Sequence, residues 1–321
     1  MPARGELRLA KPLDDATTRL YERIRGSRNN RLLIDAIDAA ARRQPPRAAG
    51  IESNSCIVLV PGIFYKDYPH TGADGAVLKS VAASMSIPVV TIPVDGSEGF
   101  ETAADLVNAG LSDVARSATS IILVSLSKGS AEVRHALTKS EAKQAFHRVA
   151  AWISVSGLPL GTPSFENVLR NPLRRVFIKA LCAVKGWKLD ILRELLRHRP
   201  DAAMPIPGHI MFVQVAAFPL ATHLNDRRSR RLRRQLSEFG PNDGFALLAE
   251  LAALPGYMYP VWSADHYLRG IDDLPARIAG LISVVIQNTS ARAAAYHRLP
   301  ISGAMLDDDP HCAASPLIEF R

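Results

Sequence analysis

The chain has 321 residues, of which 47% are hydrophobic and 22% charged, and its formal net charge is +8 at pH 7. This length and composition are those of a soluble globular protein that can bury a sizeable core. The three cysteines, Cys56, Cys182 and Cys312, lie far apart in the sequence, which excludes a disulfide framework and a metal-binding spacing.

The apolar runs of the chain give no indication of export or membrane insertion. Residues 1–20 lack the apolar stretch of a signal peptide. The longest apolar runs, near residues 210–220 and 278–286, are shorter than the roughly 20 residues that a membrane-spanning helix needs. We therefore expect a cytoplasmic protein without a transmembrane segment.

The two ends of the chain are predicted to lie outside the main domain, residues 51–299. Apolar residues recur at helical spacing over 17–25 and 31–43, so residues 1–50 are predicted to form a helical accessory segment that packs on the main domain. Residues 44–50, with two consecutive prolines, are predicted to be its linker. Residues 300–321 are expected to form a loosely packed tail.

Strands and helices alternate along the first half of the main domain. Residues 55–60 form a short apolar run that is typical of a strand buried on both faces, and residues 88–93 form a second one. Helical patterns over 76–84 and 99–118 follow these two strands. This alternation predicts a mostly parallel sheet that is flanked by helices.

The third apolar run, Ile121–Val124, leads directly into Ser125-Leu-Ser-Lys-Gly129 and then into a helical pattern over 131–137. Small residues two positions before and two positions after Ser127 permit a very tight turn from strand to helix. Such a turn would lift the Ser127 hydroxyl above the sheet, where the helix N-terminus favours negative charge. The alternative is an ordinary turn in which Ser127 caps the helix.

This stretch resembles the nucleophile elbow of the α/β-hydrolase superfamily, whose usual form is Gly-x-Ser-x-Gly. Ser125 stands where the first glycine would be, and this departure is mild because serine is also small. The resemblance implies an α/β-hydrolase fold in which Ser127 is the nucleophile.

The turn after the first strand, Pro61-Gly62, matches a second feature of the superfamily. There a glycine lets the backbone approach the substrate carbonyl, and the next N–H forms half of an oxyanion hole. Carried over to this chain, Ile63 and Lys128 would donate the two N–H groups. The neighbouring aromatic residues, Phe64 and Tyr65, would line the acyl side of the pocket. A turn of no chemical importance is the alternative.

Two further strands are predicted at residues 149–155 and 210–217. The residues between them, about 160–205, contain helical patterns with apolar faces. In the superfamily, an insertion at this place is a helical cap or lid over the active site. An extra helical layer without a gating role is the alternative.

Two loops near the end of the domain contain an acid and a histidine in the order of the superfamily. Asp243 lies in an Asn-Asp-Gly turn, and His266 follows one helix and one strand later. The resemblance implies that His266 is the base that activates Ser127 and that Asp243 orients it. Asp265 competes as the acid, although a residue adjacent to His266 would normally point away from it. The competing bases are His70, His209 and His223.

The resemblance implies a serine hydrolase that cleaves a carboxylic ester through an acyl-enzyme and needs no metal or cofactor. Its substrate would be a small-molecule or lipid-like acyl ester. A thioesterase or an acyltransferase would use the same triad. A non-catalytic α/β-hydrolase scaffold is the alternative from a different class of function.

Six arginines within Asn225–Gln235 carry much of the excess positive charge. Nucleic acid, an anionic membrane surface or an acidic partner are the ligands that such a run attracts. No aromatic residues are interleaved for base stacking, so we expect no nucleic-acid partner. The simplest interpretation is a solvated helix face.

Overall fold

A computed structural model describes residues 4–43, 55–94, 98–166, 171–185, 187, 189–196 and 204–297. The predicted linker, 44–50, and the predicted tail, 300–321, lie outside these residues. The described strands are β1 (Ser55–Val60), β2 (Val89–Thr91), β3 (Ser120–Leu126), β4 (Val149–Val155), β5 (Met211–Phe218) and β6 (Tyr257–Trp262).

The described α-helices surround these strands. They are α1 (Arg4–Gly26), α2 (Arg28–Ala41), α3 (Ala76–Ser84), α4 (Phe100–Val114), α5 (Gly129–Leu137), α6 (Ala142–Ala145), α7 (Pro172–Lys185), α8 (Leu189–Leu195), α9 (Arg227–Gln235), α10 (Leu248–Ala253) and α11 (Leu274–His297). Within the described residues, no helix combines the length and the apolar character that crossing a membrane requires.

The strands form one parallel sheet in the order β2-β1-β3-β4-β5-β6, which confirms the predicted fold class. The chain runs from β1 outward to β2, then crosses back to β3 and continues in the opposite direction. The carboxyl ends of β1 and β3 therefore flank a point where the strand order reverses. Ligands of open α/β sheets bind in the crevice at such a point.

Alternate residues of each strand pack into two helical layers, one on each face of the sheet. In β3, Ile122 and Val124 belong to the core formed with α2, α3 and α11, whereas Ile121 and Leu123 belong to the core formed with α4, α5 and α6. Because both faces are covered, the strands are apolar without the polar alternation of a solvated sheet.

The helix α2 of the N-terminal segment is an integral part of the first layer. Its Leu33 and Ile37 side chains are fully buried. A Cβ atom at Gly280 of α11 would lie 2.6 Å from the Ile37 carbonyl oxygen, so the glycine lets the two helices come this close. Asn30 Oδ1 accepts the Met258 N–H of β6 at 2.9 Å. The segment thereby covers the open edge of the sheet.

Candidate active site

The turn after β3 has the backbone strain that its sequence predicts. Ser127 adopts a φ of 48°, in the left-handed region that non-glycine residues rarely enter. Its N–H donates to the Val155 carbonyl at 3.0 Å, and its own carbonyl accepts the Leu158 N–H at 3.0 Å. Main-chain hydrogen bonds to β4 and to the loop after it therefore hold Ser127 in this conformation.

Gly129 allows the same turn to approach β1. A Cβ atom at this position would lie 2.6 Å from the Pro61 carbonyl oxygen and 2.8 Å from that of Val60. These neighbours are backbone atoms, which cannot move aside as a flexible side chain would. The small residue two positions after Ser127 is therefore required by the close contact between α5 and β1.

The structure brings Ser127, His266 and Asp243 into one chain of hydrogen bonds. Ser127 Oγ lies 3.0 Å from His266 Nε2, and His266 Nδ1 lies 2.9 Å from Asp243 Oδ2. The histidine is 5% exposed and the aspartate 2%. The other carboxylate oxygen, Asp243 Oδ1, accepts the N–H groups of Phe245 at 2.9 Å and Ala246 at 2.7 Å. Within the described residues, these three contacts hold the carboxylate in one orientation.

The competing acid and two of the three competing bases have other partners. Asp265 accepts hydrogen bonds from the N–H groups of Tyr267 and Arg269 and from Arg269 Nε, so its carboxylate faces the arginine. His223 Nδ1 accepts the Leu220 N–H. His209 lies near the Phe146 carbonyl oxygen, whereas His70 is exposed at the cavity described below.

Each of the two predicted oxyanion donors, Ile63 and Lys128, belongs to a backbone segment at the Ser127 turn. Gly62 packs against Ser127, because a Cβ atom on this glycine would lie 3.6 Å from Ser127 Cβ, and Ile63 follows it. Lys128 stands at the start of α5, where a helix leaves its first N–H groups without partners. Within the described residues, neither the Ile63 N–H nor the Lys128 N–H has a backbone acceptor. Their role as oxyanion donors stays a prediction.

Of the two aromatic residues predicted to line the pocket, the structure places only Phe64 there. Phe64 has a φ of 54° and stacks on Trp187, with ring centroids 3.7 Å apart. Trp187 Nε1 donates to Asp67 Oδ2 at 3.1 Å. Tyr65 is not among the lining residues, and its ring lies 5.7 Å from Lys66 Nζ. The sequence could not distinguish them, because neighbouring loop residues can point in different directions.

A buried hydroxyl network that the sequence motifs do not predict lies beneath Ser127. Trp152 Nε1 donates to Ser125 Oγ at 2.8 Å, and this oxygen lies 2.8 Å from Ser130 Oγ. Ser130 Oγ in turn lies 2.8 Å from Ser154 Oγ. The network joins β3, α5 and β4. The sequence feature that could have indicated this network is Ser125, which replaces the first glycine of the elbow pattern.

Ser125→Ala is expected to lower the free energy of unfolding by about 1–3 kcal/mol, because it leaves the buried Trp152 N–H without its acceptor. Urea denaturation followed by circular dichroism measures this loss. The control is Ser117→Ala at an exposed serine, for which we expect a change within about 0.5 kcal/mol. Equal stability of the two variants would mean that the hydroxyl network contributes nothing.

A cavity of about 450 Å³ opens beside Ser127 and extends along the sheet. Ile153 and Val215 line it from the sheet, and Leu281 and Ile282 line it from α11. These side chains also belong to the core of the first layer. The cavity is therefore an apolar chamber inside the domain, and a volume of this size can enclose a small organic ligand.

One polar side chain that lines this chamber, Ser156, makes no hydrogen bond through its hydroxyl to the described part of the chain. Ser156 follows β4 as Ser127 follows β3, and the pairing of Leu126 with Val155 places the two serines side by side. Ser156 lines the chamber, has a φ of 43° and is buried. Within the described residues its Oγ has no hydrogen-bond partner. This hydroxyl can therefore meet a polar atom of a bound ligand.

A parallel sheet of this order, with a serine at the tight turn after β3 and a histidine in the loop after β6, is the architecture of an α/β-hydrolase. The chain has the α/β-hydrolase fold.

The solved structures that are similar to this one include an esterase and a lipase. A metagenomic carboxyl esterase, MGS0156, has a TM-score of 0.57 at 16% sequence identity, over 81% of this chain and 91% of the esterase. The mature lipase BlEst2 of Bacillus licheniformis has a TM-score of 0.52 at 17% identity, over 75% of this chain and 91% of the lipase. The sequence matches no protein-family model and no curated protein. At these identities the similarity establishes the fold.

Proposed function

We propose that this protein is a serine hydrolase that cleaves carboxylic esters through an acyl-enzyme. The observation that carries the proposal is the hydrogen-bonded series Ser127–His266–Asp243, which opens on an apolar chamber. A serine hydroxyl becomes a nucleophile when an adjacent histidine can take its proton. The similarity to a carboxyl esterase and a lipase is consistent with an ester as the substrate.

In the proposed reaction, Ser127 Oγ attacks the ester carbonyl carbon while its proton passes to His266 Nε2. Asp243 stabilises the imidazolium through Nδ1. The carbonyl oxygen becomes an oxyanion that accepts hydrogen bonds from the N–H groups of Ile63 and Lys128. His266 then gives the proton to the departing alkoxide, and an alcohol leaves. Water then attacks the carbonyl carbon of the acyl-enzyme and gives its proton to His266. His266 returns this proton to Ser127 Oγ as the carboxylic acid leaves.

The chamber indicates the kind of acyl group that the site takes. Its walls are mostly aliphatic, so each methylene group that enters it leaves water for an apolar surface. The hydroxyl of Ser156 is a polar contact available beside Ser127. We therefore propose that the chamber takes an apolar acyl group.

Labelling with a fluorophosphonate tests the proposed nucleophile. The reagent forms a covalent adduct with an activated serine, and mass spectrometry of peptides locates it. We expect an adduct on Ser127 of the native protein and none in Ser127→Ala. The matched control is Ser263→Ala, since Ser263 follows β6 at the same edge of the sheet and also has a positive φ, 65°. This control should retain the Ser127 adduct.

A folded protein that acquires no adduct would contradict the proposal and would favour a non-catalytic scaffold. An adduct on another serine would contradict the assignment of Ser127. Once Ser127 is labelled, acyl esters and acyl thioesters of matched chain length distinguish the leaving group. Faster turnover of the thioesters would indicate a thioesterase instead of an esterase. Transfer of the acyl group to an added alcohol in preference to water would indicate an acyltransferase.

A further inference from the structure

The helix α7 exposes large apolar side chains on its outer face. Leu173, Val176, Phe177 and Val184 are between 66% and 84% exposed. The opposite face lines the chamber through Ile178, Leu181 and Cys182. An exposed apolar stripe of this size indicates a site where a protein or a membrane binds.

The helix that carries this stripe has charged residues of one sign, although Asp67 of a neighbouring loop lies 3.8 Å from its Lys185. The sequence of α7 contains four basic residues and no acidic one, and its Arg175 and Lys179 are exposed. The helix α9 contains six arginines and no acidic residue. Arg228 of α9 is exposed and lines the same chamber as α7 does. A basic helix with an exposed apolar stripe and a second basic helix therefore border one chamber.

An anionic lipid membrane, which has negative headgroups above an apolar interior, matches this pattern. Amphipathic helices with Lys and Arg beside large apolar residues lie in the plane of anionic membranes, where the apolar face enters the headgroup boundary. With 14 residues, α7 is too short to span a bilayer but long enough to lie along one. A second copy of this chain fits less well, because a symmetric contact would bring two basic faces together.

We propose that the outer face of α7, together with the exposed arginines of α9, docks on an anionic lipid surface. The side chains of α7 that enter the lipid are Leu173, Val176, Phe177 and Val184. The basic residues beside them contact the negative headgroups. Docking places the lipid against a helix whose opposite face lines the chamber. The proposal concerns binding and does not depend on the proposed ester hydrolysis.

Flotation of the full-length protein with lipid vesicles tests the docking. We expect the protein to float with vesicles that contain phosphatidylglycerol and phosphatidylcholine, and not with vesicles of phosphatidylcholine alone. Added salt should release it, because the attraction to the headgroups is screened. Arg175→Glu/Lys179→Glu should weaken the partition by about tenfold or more. Phe177→Ser/Val184→Ser should weaken it as well, because the apolar stripe is interrupted.

Each pair of substitutions has a matched control away from α7. Lys143→Glu/Arg148→Glu makes the same change in net charge at two exposed residues near α6, and Val90→Ser/Leu106→Ser makes the same polar change at two exposed apolar residues. Both controls should bind like the native protein. The proposal is overturned if the native protein ignores anionic vesicles or if the controls lose as much binding as the α7 variants. It is also overturned if sedimentation shows a dimer that Phe177→Ser/Val184→Ser converts to a monomer, since the face would then be an interface between copies.

Discussion

Asp243→Asn is expected to lower kcat for ester hydrolysis by about 10⁴-fold while the protein stays folded. The amide oxygen of asparagine can still accept the N–H groups of Phe245 and Ala246, which bond to Asp243 Oδ1. The NH₂ group then faces His266 Nδ1 and can only donate to it. His266 must consequently carry its own proton on Nε2, where it can no longer accept the proton of Ser127. Single-turnover assays and thermal unfolding measure the two parts of this prediction.

The adjacent loop provides a control of the same chemical kind. Asp265→Asn makes an identical substitution one residue before His266, at a carboxylate that bonds to Arg269 and to backbone N–H groups. We expect this variant to keep its turnover and to lose only some stability. If Asp265→Asn lost turnover and Asp243→Asn kept it, the acid of the site would be Asp265.

The buried strands were the most predictable part of the fold. β1 and β4 begin and end at the predicted residues, 55–60 and 149–155, because a strand buried on both faces is an unbroken apolar run. β2 is shorter than the predicted run 88–93, and only Val89–Thr91 pairs with β1. The prolines at both ends of that run have no N–H for a neighbouring strand.

The surroundings of Ser127 were predictable only in part. The order of Ser127, Asp243 and His266 belongs to a motif, and the structure brings the three together, while their catalytic roles remain a proposal. The ion pair of Lys128 and Glu132 has the spacing of one helix turn, which occurs equally on solvated faces. Only the packing of α5 onto the sheet decides that this pair is buried.

The outer stripe of α7 illustrates the same limit. The apolar spacing within residues 172–185 predicts a helix, but it does not say which apolar residues face the domain. In the structure Ile178 and Leu181 face the chamber, while Phe177 and Val184 face outward. Sequence periodicity gives the faces of a helix, and the position of its neighbours decides which face is covered.

Lys128→Met is expected to lower the free energy of unfolding by about 3–5 kcal/mol, and Glu132→Leu by a similar amount. The two side chains are 1% and 2% exposed and form an ion pair in the first turns of α5. Lys128 Nζ also lies 3.4 Å from the Glu98 carbonyl oxygen and 5.3 Å from the centroid of the Phe100 ring. Each single substitution removes one partner and leaves the other charge buried.

The double variant Lys128→Met/Glu132→Leu is expected to recover most of this loss, because it removes both charges and keeps similar volumes. The pH dependence of Lys128→Met provides a second test. Burial raises the pKa of Glu132 above its ordinary value of 4.5. An acid with a raised pKa in the folded state stabilises the fold below its unfolded pKa, and this contribution is lost as the pH rises through the folded value. The loss of unfolding free energy caused by Lys128→Met should therefore be smallest at acidic pH.

The exposed pair of Lys11 and Asp15, with the same spacing and a distance of 3.0 Å, is the control for this cycle. Its side chains are 74% and 49% exposed. Lys11→Met should therefore lower the free energy of unfolding by about 0.2–1 kcal/mol. Chemical denaturation of all four variants at several pH values measures the differences. If Lys128→Met lowered the free energy of unfolding no more than Lys11→Met does, burial would not make the loss of one partner more destabilising. If the double variant were as unstable as the single ones, the shape of these side chains rather than their charge would hold α5 behind Ser127.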